Sequence, residues 1–190
     1  LCYNKFTGII EYKKKPIWHD LDKGKRIDDE DIVYIKYYLS SDKKFDISKD
    51  NIRDAVIEVA RRNTFHPVKE YLDKLIWDSV PRVDEWLIKG CGVEDNQYIR
   101  EAGRKWLCGA VARVHCPGIK FDHILILEGE ENIGKSTALR VLGDPWFTDT
   151  VDLMLPDIRI VEKMIGNWII EIPELKGLTQ RDAEHIIAFL

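Results

Sequence analysis

The chain has 190 residues, 45% hydrophobic and 33% charged, the make-up of a folded globular protein with room for one large domain or two small ones. No apolar stretch approaches the ~20 residues of a membrane span, and nothing has the layout of a signal peptide. The net charge of −4 excludes a global attraction to nucleic acid, so any such contact needs a local basic surface.

In chain order, residues 1–27 are weakly patterned. Phe6-Thr7-Gly8-Ile9-Ile10 reads as a turn into a short strand. Lys13-Lys14-Lys15 and Lys23-Gly24-Lys25-Arg26 are basic clusters in loop-like sequence, read first as solvated and second as DNA contacts. Residues 28–39 read as a helix. Asp28 caps it, Asp29, Glu30 and Asp31 suit its first turn, and Ile32, Ile35 and Leu39 share a face. Tyr34, Tyr37 and Tyr38 are expected to broaden that face by core packing rather than to stack on bases. Ser48 opens a second helix with Ile52, Val56 and Val59 inward and Arg61-Arg62 at its end. Pro67 starts a third, with Tyr71, Leu72, Leu75 and Ile76 facing inward. A short helix over 84–89 follows Pro81 and is ended by Gly90 or Gly92. Residues 95–114 form a long amphipathic helix. Its face is Tyr98, Ala102, Trp106, Ala110 and Val114, while Arg100 and Arg104 read first as solvated charges and second as partner contacts.

Cys2, Cys91, Cys108 and Cys116 form no C-x-x-C pair. Cys108, His115, Cys116 and His123 are split between a predicted helix and a predicted strand, so separate thiols in a reduced, intracellular compartment are expected rather than zinc. Leu1 is not Met and Leu190 sits inside an apolar pattern, so both ends read as cut from a longer protein.

The stretch that organises the rest is 121–142. Ile124-Leu125-Ile126-Leu127 has the length of one buried strand. Gly129-Glu130-Glu131-Asn132-Ile133-Gly134-Lys135-Ser136 fits G-x-x-x-x-G-K-[ST], and Ala138, Leu139 and Leu142 continue as a helix. Strand, glycine-rich loop and helix are the setting of a phosphate-binding P-loop. Gly129 and Gly134 let the backbone turn its N–H groups toward phosphates, and the helix end adds positive character. Lys135 reaches the β- and γ-phosphates and the Ser136 hydroxyl ligates Mg²⁺. The predicted nucleotide set is Gly129, Glu130, Glu131, Asn132, Ile133, Gly134, Lys135, Ser136 and Thr137. Thr137 is the one less suited to the metal.

Beyond a turn at 143–145, a helix over 157–165 and a turn at 166–167, Trp168-Ile169-Ile170-Glu171-Ile172-Pro173-Glu174-Leu175 reads as an apolar strand ending in acids. A carboxylate at such a strand end holds Mg²⁺ or its water and orients the attacking water. Glu171 and Glu174 are the candidates, with Lys135, for catalysis, and Glu171 joins Ser136 as a metal ligand. Residues three apart on a straight strand face opposite ways, but Pro173 interrupts pairing and leaves both acids able to reach the site. Residues 181–190 begin another helix.

Several segments together resemble the virulence-associated E family of phages, prophages and mobile elements. They are Phe65-His66-Pro67 with Tyr71-Leu72, Trp77-Asp78 with Pro81-Arg82, Val111-Ala112-Arg113-Val114, Pro117-Gly118 with Lys120-Phe121-Asp122-His123, the glycine-rich loop, and the Trp168 to Leu175 segment. The resemblance runs from about residue 60 onward and is loose before that. It implies an AAA+-like P-loop ATPase similar to superfamily-3 helicases, often joined to a primase region, that replicates mobile-element DNA in the cytoplasm of a bacterial host. The implied partners are ATP, Mg²⁺, single-stranded DNA and further copies in a hexameric ring of the full-length protein. By position, Gly129, Gly134, Lys135 and Ser136 bind nucleotide and Glu171 and Glu174 form the Walker B region. The aspartate-glutamate pair of many Walker B motifs is absent, which leaves the division of roles between the two acids open. The family's later motifs, including an arginine acting across a subunit boundary, lie beyond Leu190. Nucleotide binding with weak hydrolysis is therefore expected of this chain.

The reading is an α/β protein: an AAA+-like P-loop core over 118–190, C-terminally incomplete, a helical linker or lid over 67–117 and a mostly helical region over 1–66. Its function is ATP binding and hydrolysis within a replication helicase. The rivals are a P-loop kinase of a small molecule, which would need an acceptor site, and a non-enzymatic DNA-binding module switched by nucleotide.

Overall fold

A computed structural model of the chain describes residues 1–14, 16, 18, 26–41, 45–152 and 156–173. The chain packs as two compact units, Leu1–Glu70 and Tyr71–Leu190. No helix among the described residues is long and apolar enough to cross a membrane.

The first unit is built on a three-stranded sheet. β1 (Cys2–Asn4) and β2 (Ile9–Glu11) form an antiparallel hairpin, and β3 (Thr64–Phe65) runs parallel to β1 on its other side, giving the order β2-β1-β3. Buried Asn4 organises the hairpin turn. Its Oδ1 accepts from the N–H groups of Phe6 (3.0 Å) and Thr7 (3.4 Å), and its Nδ2 donates to Glu11 (2.8 Å). Between β2 and β3 run α1 (Asp29–Ser41) and α2 (Lys49–Arg62).

Both helices begin where local chemistry says they should. Asp28 and Asp31 exchange backbone-to-carboxylate hydrogen bonds of 3.0 Å at the start of α1, and the Ser48 side chain accepts from the Asn51 N–H at 3.2 Å. Such reciprocal caps satisfy donors that the helix leaves open. α2 lies on β1 and β2, and α1 lies on α2. The core is Ile32, Ile52 and Val56, with Ile35 and Leu39 packed against it. α2 buries Ile52, Val56 and Ala60, spaced four apart on one face, and turns Val59 outward. The three tyrosines of α1 do not extend the core: Tyr34, Tyr37 and Tyr38 are exposed, Tyr37 at 71%. The short strands β1 and β3 stand beside the helices expected there.

α3 (Pro67–Lys74) starts at its proline and ends before Leu75. Its inward residue is Val68, fully buried, while Tyr71 and Leu75 are exposed and Ile76 is 93% exposed. The apolar run continues past the helix end, so it has no helical face to share. Residues 75–83 are exposed and tied by one ion pair: the Arg82 guanidinium forks onto the Asp78 carboxylate at 2.8 and 2.7 Å.

The second unit places α4 (Trp86–Cys91) against α5 (Gln97–His115). Gly92, at φ 67°, closes α4, and the Asn96 side chain caps α5 by accepting from the Ile99 N–H at 2.9 Å. Arg104 and Arg100 are not merely solvated. Arg104 forks onto Asp84 (2.6 and 2.8 Å), and Arg100 forks onto Asp95 (2.7 and 2.6 Å) with Glu85 beside it. The buried positions of α5 are Gly103, Gly109 and Val114, and Tyr98 is 77% exposed. Glycine is needed where neighbours press down. Trp86 and Leu87 crowd Gly103, and the Phe121 ring lies on Gly109. Trp86 also stacks on Trp106 with centroids 5.6 Å apart.

The remainder is α6 (Lys135–Gly143), β4 (Phe147–Thr148), α7 (Asp157–Met164) and β5 (Ile169–Ile170). β4 and β5 pair in parallel with α7 as their crossover, as parallel strands require. The Trp168 indole N–H donates to the Ala110 carbonyl at 3.0 Å, which ties β5 to α5. The predicted strand at Ile124-Leu125-Ile126-Leu127 is not formed. The segment has no ladder partner among the described residues, and Ile126 is 59% exposed. Without a neighbouring strand among the described residues, its backbone has no ladder to join there.

Candidate functional site

The glycine-rich loop joins the apolar run at 124–127 to α6. Three of its residues have positive φ: Gly129 at 150°, Asn132 at 63° and Gly134 at 92°. Asn tolerates the left-handed region better than most residues. Gly134 occupies the N-cap of α6 with no side chain capping the helix, so the amides of the first turn face no protein acceptor from the cap. A Cβ at Gly134 would meet nothing within 4 Å, whereas one at Gly129 would strike the Ile133 side chain at 2.8 Å. Glu130, Glu131, Asn132 and Ile133 are exposed, as is Thr137 on the first turn of α6.

Lys135 turns back into the loop. Its Nζ donates to the carbonyls of Gly129 at 2.9 Å and Glu130 at 2.6 Å. The ammonium is thus held over the stretch that sequence reasoning assigns to phosphates.

Ser136, the next residue, reaches across to β5. Its Oγ donates to Oε1 of Glu171 at 2.6 Å, joining positions 35 apart in sequence. Glu171 is placed by the sheet, since its own N–H donates to the Thr148 carbonyl at 2.8 Å just past the β4–β5 pairing. Its other carboxylate oxygen, Oε2, is buried and has no hydrogen-bond partner among the described residues. An anionic oxygen without a donor is costly to bury. One lying beside a hydroxyl oxygen matches the hard oxygen ligands of a small divalent cation. No group of three or more His, Cys, Asp or Glu among the described residues is placed to hold a metal ion by itself. A cation here would therefore complete its shell with water and ligand oxygens, as Mg²⁺ commonly does. Glu174, the second predicted acid, lies outside the described residues.

Two features next to this pair carry no motif. Arg140, one turn beyond Ser136 on α6, donates to Asp149 at 2.7 Å and lies over the Phe147 ring at 5.2 Å. Gly143, at the end of α6, is buried against Ile169 and Phe147. An added Cβ would lie 2.8 Å from Ile169 and 3.1 Å from Phe147. The signal for both was the spacing from Ser136, four and seven residues, which returns to the same helix face.

The arrangement gathers a cation, a hydroxyl, a carboxylate oxygen with no partner among the described residues, and a glycine-bent loop at the start of one helix. The family model of the virulence-associated protein E-like domain matches residues 72–190, more than half of the chain. No curated protein matches it.

Proposed function

The chain belongs to the virulence-associated protein E-like domain family, and from that premise we propose that its second unit is a Mg²⁺-dependent ATPase module of the P-loop class, working in replication of mobile-element DNA. The observation that carries this reading is the 2.6 Å hydrogen bond from Ser136 to Glu171. It joins the end of the glycine-rich loop to the acid at the end of a parallel strand, the two places where a P-loop enzyme keeps its metal ligands.

The residues divide the work as follows. Gly129 and Gly134 give the loop the curvature that aims amides at phosphate oxygens. Lys135 exchanges the loop carbonyls for the terminal phosphates. Ser136 and Glu171 are the residues that would hold Mg²⁺, which supplies neutralisation of the phosphate charge. Glu171 also orients water toward the terminal phosphorus, so that ATP and water give ADP and phosphate. In the assembled protein, turnover is coupled to movement along single-stranded DNA. There the copies form a ring, and an arginine from the neighbouring copy meets the charge that develops during transfer.

Fluorescent ATP-analogue titration and phosphate release test the proposal together. Lys135→Ala is expected to weaken binding by roughly 2 kcal/mol or more, the scale of a lost charge-assisted contact. At saturating Mg²⁺, Glu171→Gln is expected to leave binding near wild type and to abolish phosphate release. Unchanged affinity in Lys135→Ala would overturn the phosphate-loop assignment, and unchanged turnover in Glu171→Gln would remove that acid from the chemistry.

A further inference from the structure

Resting on that reading, we infer that Arg140 and Asp149 are positioning residues that hold the Ser136–Glu171 pair in its metal-binding geometry. β4 and β5 pair in parallel with Phe147 opposite Ile169 and Thr148 opposite Ile170. The Glu171 N–H still donates to the Thr148 carbonyl, so Asp149 comes level with Glu171. Both acids meet α6: Glu171 accepts from Ser136, and Asp149 accepts from Arg140 at 2.7 Å.

Ser136 and Arg140 are four apart, one turn along one side of the helix. The helix is therefore fixed to the strand ends by two rungs. Gly143 adds a third point at its far end, where its bare backbone rests on Ile169 and Phe147. Three points along one side fix both the direction of the helix and its rotation about its own axis. Rotation matters because the Ser136 hydroxyl must meet a carboxylate on a separate element.

The rung itself is directional. The Arg140 guanidinium lies over the Phe147 ring at 5.2 Å while donating to Asp149. A planar guanidinium fits this stacked, hydrogen-bonded place, and a lysine ammonium fits only the charge. Among the described residues, the Arg140 and Asp149 side chains bond to each other and make no bond to the loop or to the Ser136 side chain. Their effect on the site runs through the orientation of α6.

The test is titration of the 190-residue chain with a fluorescent ATP analogue across a Mg²⁺ series, with near-UV circular dichroism to verify the fold. Arg140→Met and Asp149→Asn are expected to raise the Mg²⁺ concentration for half-maximal binding about tenfold, the lower end for loss of a group that orients metal ligands. Binding measured in EDTA should stay as in wild type, and Arg140→Lys should recover part of the shift. A role confined to stability would weaken binding equally with and without Mg²⁺. That outcome, or an unchanged Mg²⁺ midpoint in a folded Asp149→Asn chain, overturns the inference. Failure of the underlying reading has a different signature, because wild type and Lys135→Ala would then bind the analogue equally poorly at every Mg²⁺ concentration.

Discussion

Gly134 and Gly143 are both glycines of the same helix, and they are required for opposite reasons. Gly143 has an ordinary backbone and no room, with Ile169 and Phe147 against it. Gly134 has room and an unusual backbone: nothing lies within 4 Å of a Cβ placed there, yet φ is 92°. A side chain at Gly134 is therefore opposed only by conformation, about 1–2 kcal/mol for a residue forced into the left-handed region. Gly134→Ala is expected to move the loop and weaken nucleotide binding about tenfold, since 1.4 kcal/mol is a factor of ten. The melting temperature should change by no more than a few degrees, because the loop is exposed. Calorimetry beside analogue titration would read both. A large loss of thermal stability with normal binding would mean that the loop conformation supports the fold instead of the ligand.

At the scale of elements, what the sequence announced was local chemistry, and what it hid was distant chemistry. Asp28, Ser48, Pro67 and Gly92 mark helix ends through bonds or backbone angles within a few residues. The glycine-rich loop and α6 were legible for the same reason. β4, only two residues long, exists through β5, twenty-two positions away, and no periodicity fits into two residues. Tyr34 and Tyr37 of α1 misled because they sit two places after Ile32 and Ile35, about 200° round the helix, and so face away from the core. Gly103 and Gly109 carry no hydrophobic signal, although their bare surfaces receive Trp86 and Phe121. Asp149 was missed because its meaning depends on register with Glu171.

The acid clamps around α4 and α5 set a pH dependence at this scale. Hydrogen bonds from Arg82 hold the Asp78 carboxyl down at about 2. Hydrogen bonds from Arg104, Lys89 and Arg100 lower Asp84, Glu85 and Asp95 in the same direction. Each group binds its proton more weakly folded than unfolded. Its contribution is complete above the ordinary carboxylate pKa of ~4 and is lost as the pH falls through the lower folded value. Near-UV circular dichroism of the Trp86–Trp106 stack should hold to about pH 4 and decay below it. In Arg104→Met the decay should begin at higher pH. Loss of the signal already near pH 6 would point to histidine instead.

For the whole molecule, a net charge of −4 leaves DNA contact to local groups. Lys13, Lys14 and Arg26 are exposed in the first unit, whereas Lys15, Lys23 and Lys25 lie outside the described residues. Three cations on a single strand, at ~0.7 released counterions per phosphate, give a log–log salt slope of about −2. Weak binding of single-stranded DNA that follows this slope is expected from fluorescence anisotropy. Tight binding that hardly changes with salt would require a surface of another kind.

The ammonium of Lys135, engaged by the Gly129 and Glu130 carbonyls, gives the loop a resting form in which its cation is already turned inward. A ligand that needs this cation meets a molecule that must first let go of itself, so capture becomes a two-step process. Only the fraction with a released lysine is competent, and the apparent affinity is the intrinsic one scaled by that fraction. In stopped-flow mixing, the observed rate should climb with ATP-analogue concentration and then level off at the opening rate. In Lys135→Ala, where no side-chain cation ties the loop shut, the rate should rise linearly although the final affinity is lower. A linear dependence in wild type up to millimolar analogue would mean that the loop opens faster than the nucleotide arrives.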